Sequence, residues 1–308
     1  VDEQEQRRGE SPDRADEARE IAAIVDTPGV FARCWYASRS GELIEEHPSH
    51  IAMATAGLQC LFSILPPNGP LLGRVTRCAF CWDGQSKTVK PRKPKPPGFS
   101  EDRIFFREVL ERLFGCIHVT STSESDDACA TLAYRLADRG EPSVVIGGDK
   151  DLQQIVGRNV EYYCLNKKCI LSRQHIVDRW HVKRPIHVAV ALAILGDAND
   201  GINGVNQWGP KRQQTAFEQV TEGMELTEVV DTIAAQIPRH ELDNFYQALE
   251  VTLLRDDIDV ADPTPFQFGE LDEIDRLGLG HMRPAYSRFV SSFRNWAPVE
   301  SAVDETEP

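Results

Sequence analysis

Apolar residues along this chain fall into two alternating signatures. Short, nearly unbroken apolar runs at 21–25, 75–82, 117–120, 143–146 and 160–164 predict strands, the last with a partner at 169–171. Between them, apolar positions recur at helical spacing. That spacing predicts helices at 50–65, stopped by Pro66-Pro67, and at 124–139, closed by Gly140. A third is expected at 100–114, with Ile104, Phe105, Val109, Leu110 and Leu113 on its inner face. Further helices are expected at 174–180 and 185–195, and the pattern beyond 185 is helical throughout. Alternation of strand and helix over 21–180 predicts an α/β core with a largely parallel, twisted sheet flanked by helices.

Polar segments punctuate this pattern. Residues 1–20 mix Glu, Asp and Arg with almost nothing apolar and read as a disordered lead-in. Residues 297–308 read as an acidic tail. The organisation expected between them is an α/β core over 21–184, a helical hairpin region over 185–225 and C-terminal helices over 226–296 packed on the core. Internal repeats are not apparent.

The chain has 308 residues and is 41% hydrophobic, enough for a sizeable core. No apolar run approaches the ~18 residues of a membrane span, and no signal peptide is evident, so a cytoplasmic protein is expected. Eight cysteines form no paired framework. Cys78-Ala-Phe-Cys81 has half the spacing of a zinc site, but no second half completes it, so buried free thiols are expected. The net charge of −14 argues superficially against a nucleic-acid partner. Local charge is the better guide: Lys87, Lys90, Arg92, Lys93 and Lys95 share one stretch with no acid between Gln85 and Ser100. Its prolines rule out regular helix, and its place after Asp83 suggests a basic strap, at about 85–100, over a cleft.

The candidate chemistry lies in acids at the ends of predicted strands and the starts of helices. Asp26, Asp83 and Asp149 each follow a strand, and in open α/β sheets sites gather outside the strands' carboxyl ends. Glu124-Ser-Asp-Asp127 opens a helix, with Ser123 a natural N-cap and Asp126 completing a capping box. Helical spacing places Glu124 and Asp127 side by side, with Asp126 turned away. Gly147-Gly-Asp-Lys-Asp151 adds Asp149 and Asp151. Gly196-Asp-Ala-Asn-Asp200 adds Asp197 and Asp200. Any single acid suits a turn or a helix start. Nine together carry a charge that calls for a divalent counter-ion, and Mg²⁺ or Mn²⁺ takes such oxygen ligands. After Asp200, Gly204 and Gly209 frame a tight hairpin before Lys211 and Arg212. Backbone amides there suit a phosphate.

These segments resemble the flap endonuclease and 5′→3′ exonuclease family, in its stand-alone phage form, and the nuclease domain of bacterial DNA polymerase I. The resemblance rests on Ile24-Val-Asp-Thr-Pro-Gly-Val-Phe-Ala-Arg33, Phe80-Cys-Trp-Asp-Gly84, Glu124-Ser-Asp-Asp127, Val145 to Gln154 and Leu195 to Lys211. It implies a PIN/5′-nuclease-like core followed by a helix-hairpin-helix and C-terminal helices. It also implies a two-metal phosphodiesterase acting on DNA with a 5′ end or 5′ flap, with RNA primers a second substrate class, in replication or repair. One metal would be held by Asp26, Asp83, Glu124 and Asp126, the other by Asp149, Asp151, Asp197 and Asp200, with Asp127 catalytic near both. The hairpin residues Gly204, Val205 and Gly209, with Lys211 and Arg212, would hold the duplex backbone, aided by K⁺. In the strap Lys90 and Lys93 would act at the scissile phosphate, Arg92 and Lys95 being close rivals. Arg33, Lys87, Arg92 and Lys95 would contact DNA. A monomer is expected, in the host bacterial cytoplasm if phage-encoded, with no polymerase domain following.

The chain departs from the family pattern at Thr27, where Gly is usual, at Gln207-Trp208, and in its short, proline-rich strap. A haloacid-dehalogenase-like phosphatase, suggested by Gly196-Asp-Ala-Asn-Asp200, fails because Pro28 stands where a second Asp is required. A silent DNA-binding homologue is disfavoured by retention of all nine acids.

Overall fold

The computed structural model describes residues 19–39, 46–71, 73–84, 95–119, 123–198 and 201–295. Among these residues one sheet carries six strands in the order β3-β2-β1-β4-β5-β6. The strands are β1 Glu20–Asp26, β2 Arg74–Trp82, β3 Ile117–Val119, β4 Ser143–Gly147, β5 Val160–Cys164 and β6 Cys169–Ile170. The first five pair in parallel, and β6 turns back antiparallel on β5.

Strand periodicity distributes the core over both faces. Ile21, Ala23 and Val25 join one apolar cluster with Val75, Phe80, Val144 and Ile146. Ala22 and Ile24 join the other with Ala79, Cys81, Val145 and Tyr162. The first face is covered by helices α1 Thr27–Ser38, α2 Ser49–Ile64 and α3 Phe99–Phe114. The second is covered by α4 Ser125–Asp138 and by α5 Arg173–Trp180, α6 Val188–Leu195, α7 Pro210–Phe217, α8 Leu226–Ala234 and α9 Leu242–Thr252. Two last helices, α10 Leu271–Arg276 and α11 Arg283–Arg294, return to the first face, where Tyr286 hydroxyl donates to the Leu113 carbonyl at 3.0 Å. From β1 the chain winds outward through β2 to β3, then crosses back to β4 on the other flank. That reversal opens a crevice outside the carboxyl ends of β1 and β4.

Three local expectations change. Helix α1 was not among the expected elements. Pro28 in fact stands in the first turn, where it has no amide to lose, and Asp26 caps the helix by accepting from the Gly29 amide at 3.4 Å. The inner face of α3 is set by Phe99, Phe106, Val109, Leu110 and Leu113, whereas Ile104 is 71% exposed. The cap of α4 is Glu124, with no side-chain capping bond, so the Ser123–Asp126 capping box is absent. Ser123 hydroxyl instead donates to Asp127 Oδ2 at 3.4 Å. All eight cysteines are free thiols, with Cys78 and Cys81 fully buried in β2.

Candidate active site

A cavity of about 880 Å³ opens at this crevice. Six carboxylates line it, each delivered by a sequence-predicted segment: Asp26 from β1, Asp83 after β2, Glu124 and Asp126 at the start of α4, Asp149 after β4, and Asp197 after α6. Six cations face them: Arg33, Lys95, Arg103, Lys150, Lys167 and Arg179. Formal charge on the described walls therefore balances, yet its arrangement is uneven.

The deepest acid is Asp26, 5% exposed. The amino end of α4 organises it and its neighbour together. Ser125 hydroxyl donates to Asp26 Oδ1 at 2.8 Å, and the Ser125 amide donates to Asp83 Oδ1 at 3.1 Å. Arg103, one turn into α3, donates to Asp83 Oδ2 at 3.0 Å and lies 5.5 Å from the centre of the Trp82 ring. Burial pushes the Asp26 carboxyl up to about 7, with the charges of Asp149 and Asp83 adding to the effect and the Ser125 bond opposing it. Among the described residues no cation is paired with this carboxylate, which is the condition a bound cation relieves.

Around β4 the loop is pinned from both sides. Tyr162 hydroxyl donates to the Gly147 carbonyl at 3.0 Å and to the Asp149 carbonyl at 2.7 Å. Asn166 donates to the Gly148 carbonyl at 3.0 Å and accepts from Arg33 at 2.7 Å. Asp149 Oδ1 accepts from the Asp151 amide at 3.0 Å, and Lys150 forms an ion pair with Asp197.

The sequence-predicted residues are thus not all brought together. Asp151 opens a 3₁₀ turn, Asp151–Ile155, is 2% exposed and does not line the cavity. Asp127, expected to be catalytic, is also absent from the lining, whereas Asp126, which helical spacing turned away from Glu124, lines it. Asp127 Oδ1 accepts from the Arg255 amide at 3.0 Å, which ties α4 to the segment after α9. Its carboxyl is raised by burial, despite that bond, and by the neighbouring charge of Glu124. Asp200, Lys87, Lys90, Arg92 and Lys93 lie outside the described residues. Lys95 lines the cavity, its ammonium 5.0 Å from the centre of the Phe99 ring.

All six lining acids offer hard oxygens, the donor set that Mg²⁺ or Mn²⁺ takes, and Asp26 has no paired cation among the described residues. The residues present therefore fit divalent metal. Among the described residues no three of them yet close around one ion.

The hairpin after Asp197 is built on two glycines. An isolated bridge joins Asp197 to Ile202, and the Val205 amide donates to the Ile194 carbonyl at 2.9 Å. Gly196, at φ +72°, and Gly204 pack backbone to backbone: a Cβ on Gly204 would stand 2.4 Å from Ile194 oxygen and 2.5 Å from Gly196 nitrogen. Val205 was expected at the DNA, but its side chain is buried in the core and its amide is committed. Gly209 stands open at the amino end of α7, beside exposed Lys211 and Arg212. Arg212 lies 4.7 Å from the Trp208 ring centre, and buried Glu241 accepts from the Asn206 amide at 3.2 Å.

Arg103, Lys150, Lys167, Arg179, Ser125 and Asn166 are among the site residues that sequence reasoning missed. Lys150 was in view inside Gly147-Gly-Asp-Lys-Asp151, whereas nothing local marks Arg103 or Asn166.

Comparison with known proteins agrees with this fold. Residues 22–181 match the family model of the 5′-3′ exonuclease N-terminal resolvase-like domain. A 5′-3′ exonuclease of Buchnera aphidicola subsp. Acyrthosiphon pisum is 34% identical over 88 residues, covering 29% of this chain and 30% of its own. DNA polymerase I of Synechocystis sp. is 29% identical over 236 residues, 70% of this chain and 23% of the polymerase. The chain thus spans less than a third of either relative's length. The bacteriophage T5 flap endonuclease, solved in a pseudo-enzyme-product complex with DNA and metal ions, shares the fold. Its TM-score is 0.56 at 13% identity, covering 90% of this chain and 100% of that one.

Proposed function

The chain belongs to the 5′-3′ exonuclease family, and from that premise we propose that it hydrolyses phosphodiester bonds of DNA at 5′ ends or 5′ flaps. The observation that carries this reading is the convergence of six carboxylates, from segments far apart in sequence, on one cavity beside the sheet's reversal point. Asp26, Asp83, Glu124 and Asp126 would hold one divalent ion, Mg²⁺ or Mn²⁺; Asp149, Asp151, Asp197 and Asp200 would hold a second. Two such ions supply activation of water and neutralisation of charge on the phosphate.

The protein groups orient and bind. Ser125 holds Asp26 and Asp83 at a fixed separation through its hydroxyl and amide. Asp127, facing the Arg255 amide, positions α4 rather than touching the reacting atoms. Lys90 and Lys93 would stabilise the scissile phosphate, with Arg33, Lys87, Arg92 and Lys95 guiding the strand. The hairpin backbone at Gly204 and Gly209, with Lys211 and Arg212, would grip the duplex, with K⁺ as its monovalent ion. We place the duplex-binding region at 185–225, the nuclease core at 21–184, and RNA primers as a second substrate class. Within the described residues no helix is long and apolar enough to cross a membrane. A monomer working in the cytoplasm fits this reading.

The test is digestion of a 5′-flap duplex labelled at either end, with and without Mg²⁺. Short products from the 5′ end, formed only with metal, are expected. Metal-dependent products from the 3′ end alone would overturn the polarity.

A further inference from the structure

Lys150 stands where no role has yet been given. It sits between Asp149 and Asp151, two acids of the second set, and its ammonium is paired with Asp197, a third. Both partners line the cavity, and the Asp197 side chain is only 11% exposed against 29% for Lys150. The turn that carries Lys150 is rigid, since Tyr162 holds the Gly147 and Asp149 carbonyls and Asp149 holds the Asp151 amide. Asp197 is equally fixed, by the bridge to Ile202 and the close Gly196–Gly204 contact behind it. The pair is thus imposed by two anchored backbones, and only the lysine side chain has length to spare.

We propose that Lys150 is a built-in counter-cation of the second acid group, which holds Asp197 in the metal-free protein and must release it before that carboxylate can serve a divalent ion. The physical reason is competition. Asp149 and Asp197 line the same cavity as Lys150, and grouped carboxylates are stable only with positive charge among them. An ammonium on a four-carbon stem supplies it as a movable point charge. On release, the same stem leaves the ammonium inside the cavity that receives the DNA phosphate, so the charge changes partner rather than leaving the site. Arg103 on Asp83 is a contrasting arrangement: its guanidinium also lies over Trp82 and is held in place.

This inference rests on the metal reading above, and its test separates the two. Metal-free wild-type protein, Lys150→Met, Lys150→Gln and the remote control Lys183→Met are titrated with Mn²⁺ by calorimetry, and their melting temperatures are measured in EDTA. Both Lys150 variants should bind Mn²⁺ about three- to tenfold more tightly than wild type, the size expected for removing one partly exposed competing cation. Both should melt lower than wild type in EDTA, and Lys183→Met should change neither quantity. Unchanged or weaker Mn²⁺ binding by both Lys150 variants would overturn the role of Lys150 and leave the metal reading standing. Absence of Mn²⁺ binding by wild type would overturn the metal reading itself.

Discussion

Replacing Gly204 by alanine tests whether the hairpin is a packed pivot for Asp197. An added Cβ would lie 2.4 Å from Ile194 oxygen, 2.5 Å from Gly196 nitrogen and 2.5 Å from Leu195 carbon. All three are backbone atoms, so no side chain can swing aside. Ordinary contact is roughly 3.4 Å or more, so the two segments must part by about 1 Å, and overpacking of this kind costs about 1–3 kcal/mol, occasionally more. Parting them also disturbs the bridge from Asp197 to Ile202 and so moves a cavity carboxylate. The control is Gly209→Ala. Nothing lies within 4 Å of a Cβ there, and its φ of −87° suits any residue. Its lost capping preference and its gain in chain stiffness are each about 0.5–1 kcal/mol and oppose one another. Urea unfolding should therefore show Gly204→Ala less stable by about 2 kcal/mol or more, with Gly209→Ala near wild type. Cleavage at saturating DNA should fall for Gly204→Ala alone. Equal stability of the two variants would refute the packed-pivot reasoning.

Four further outcomes are expected. Excess EDTA should abolish cleavage and added Mg²⁺ or Mn²⁺ restore it; full activity in chelator would remove the carboxylates from any metal role. Asp197→Asn should cut the cleavage rate by orders of magnitude while DNA binding stays near normal. Lys211→Ala should instead weaken duplex binding and flatten its salt dependence, measured by fluorescence anisotropy across a salt series. His187 is fully buried, neither ring nitrogen has a hydrogen-bond partner among the described residues, and burial lowers its pKa to about 4 from 6.5. The unfolded chain thus binds its proton first as pH falls, and stability drops through the window from 6.5 to 4, by up to about 3 kcal/mol. His187→Leu should flatten that part of the urea-unfolding profile, and an unchanged pH slope would show that His187 does not titrate on unfolding.

Much of this architecture was readable in the chain because its strands are short, apolar and followed at once by acids. Asp26, Asp83 and Asp149 could be assigned to one edge of a parallel sheet, since strand ends share that edge whatever the helices do. The hairpin itself was visible in Gly204 and Gly209, with Lys211 and Arg212 exposed beside it. Helix α1 did not stand out in the apolar pattern, and its first turn carries Pro28 and Gly29, which that position tolerates. The inner face of α3 was misread at Ile104, because helical spacing defines a stripe without saying which way the stripe points. That Asp126 lines the cavity and Asp127 does not follows the rotation of α4, on which Asp127 accepts from the Arg255 amide more than a hundred residues away. Arg103 and Lys150 reached their carboxylates only through tertiary packing. What the sequence determined alone was the set of charges and the edge they occupy. Which charge faces which depended on long-range contacts, because ion pairs across a cavity join side chains whose order along the chain carries no record of their distance.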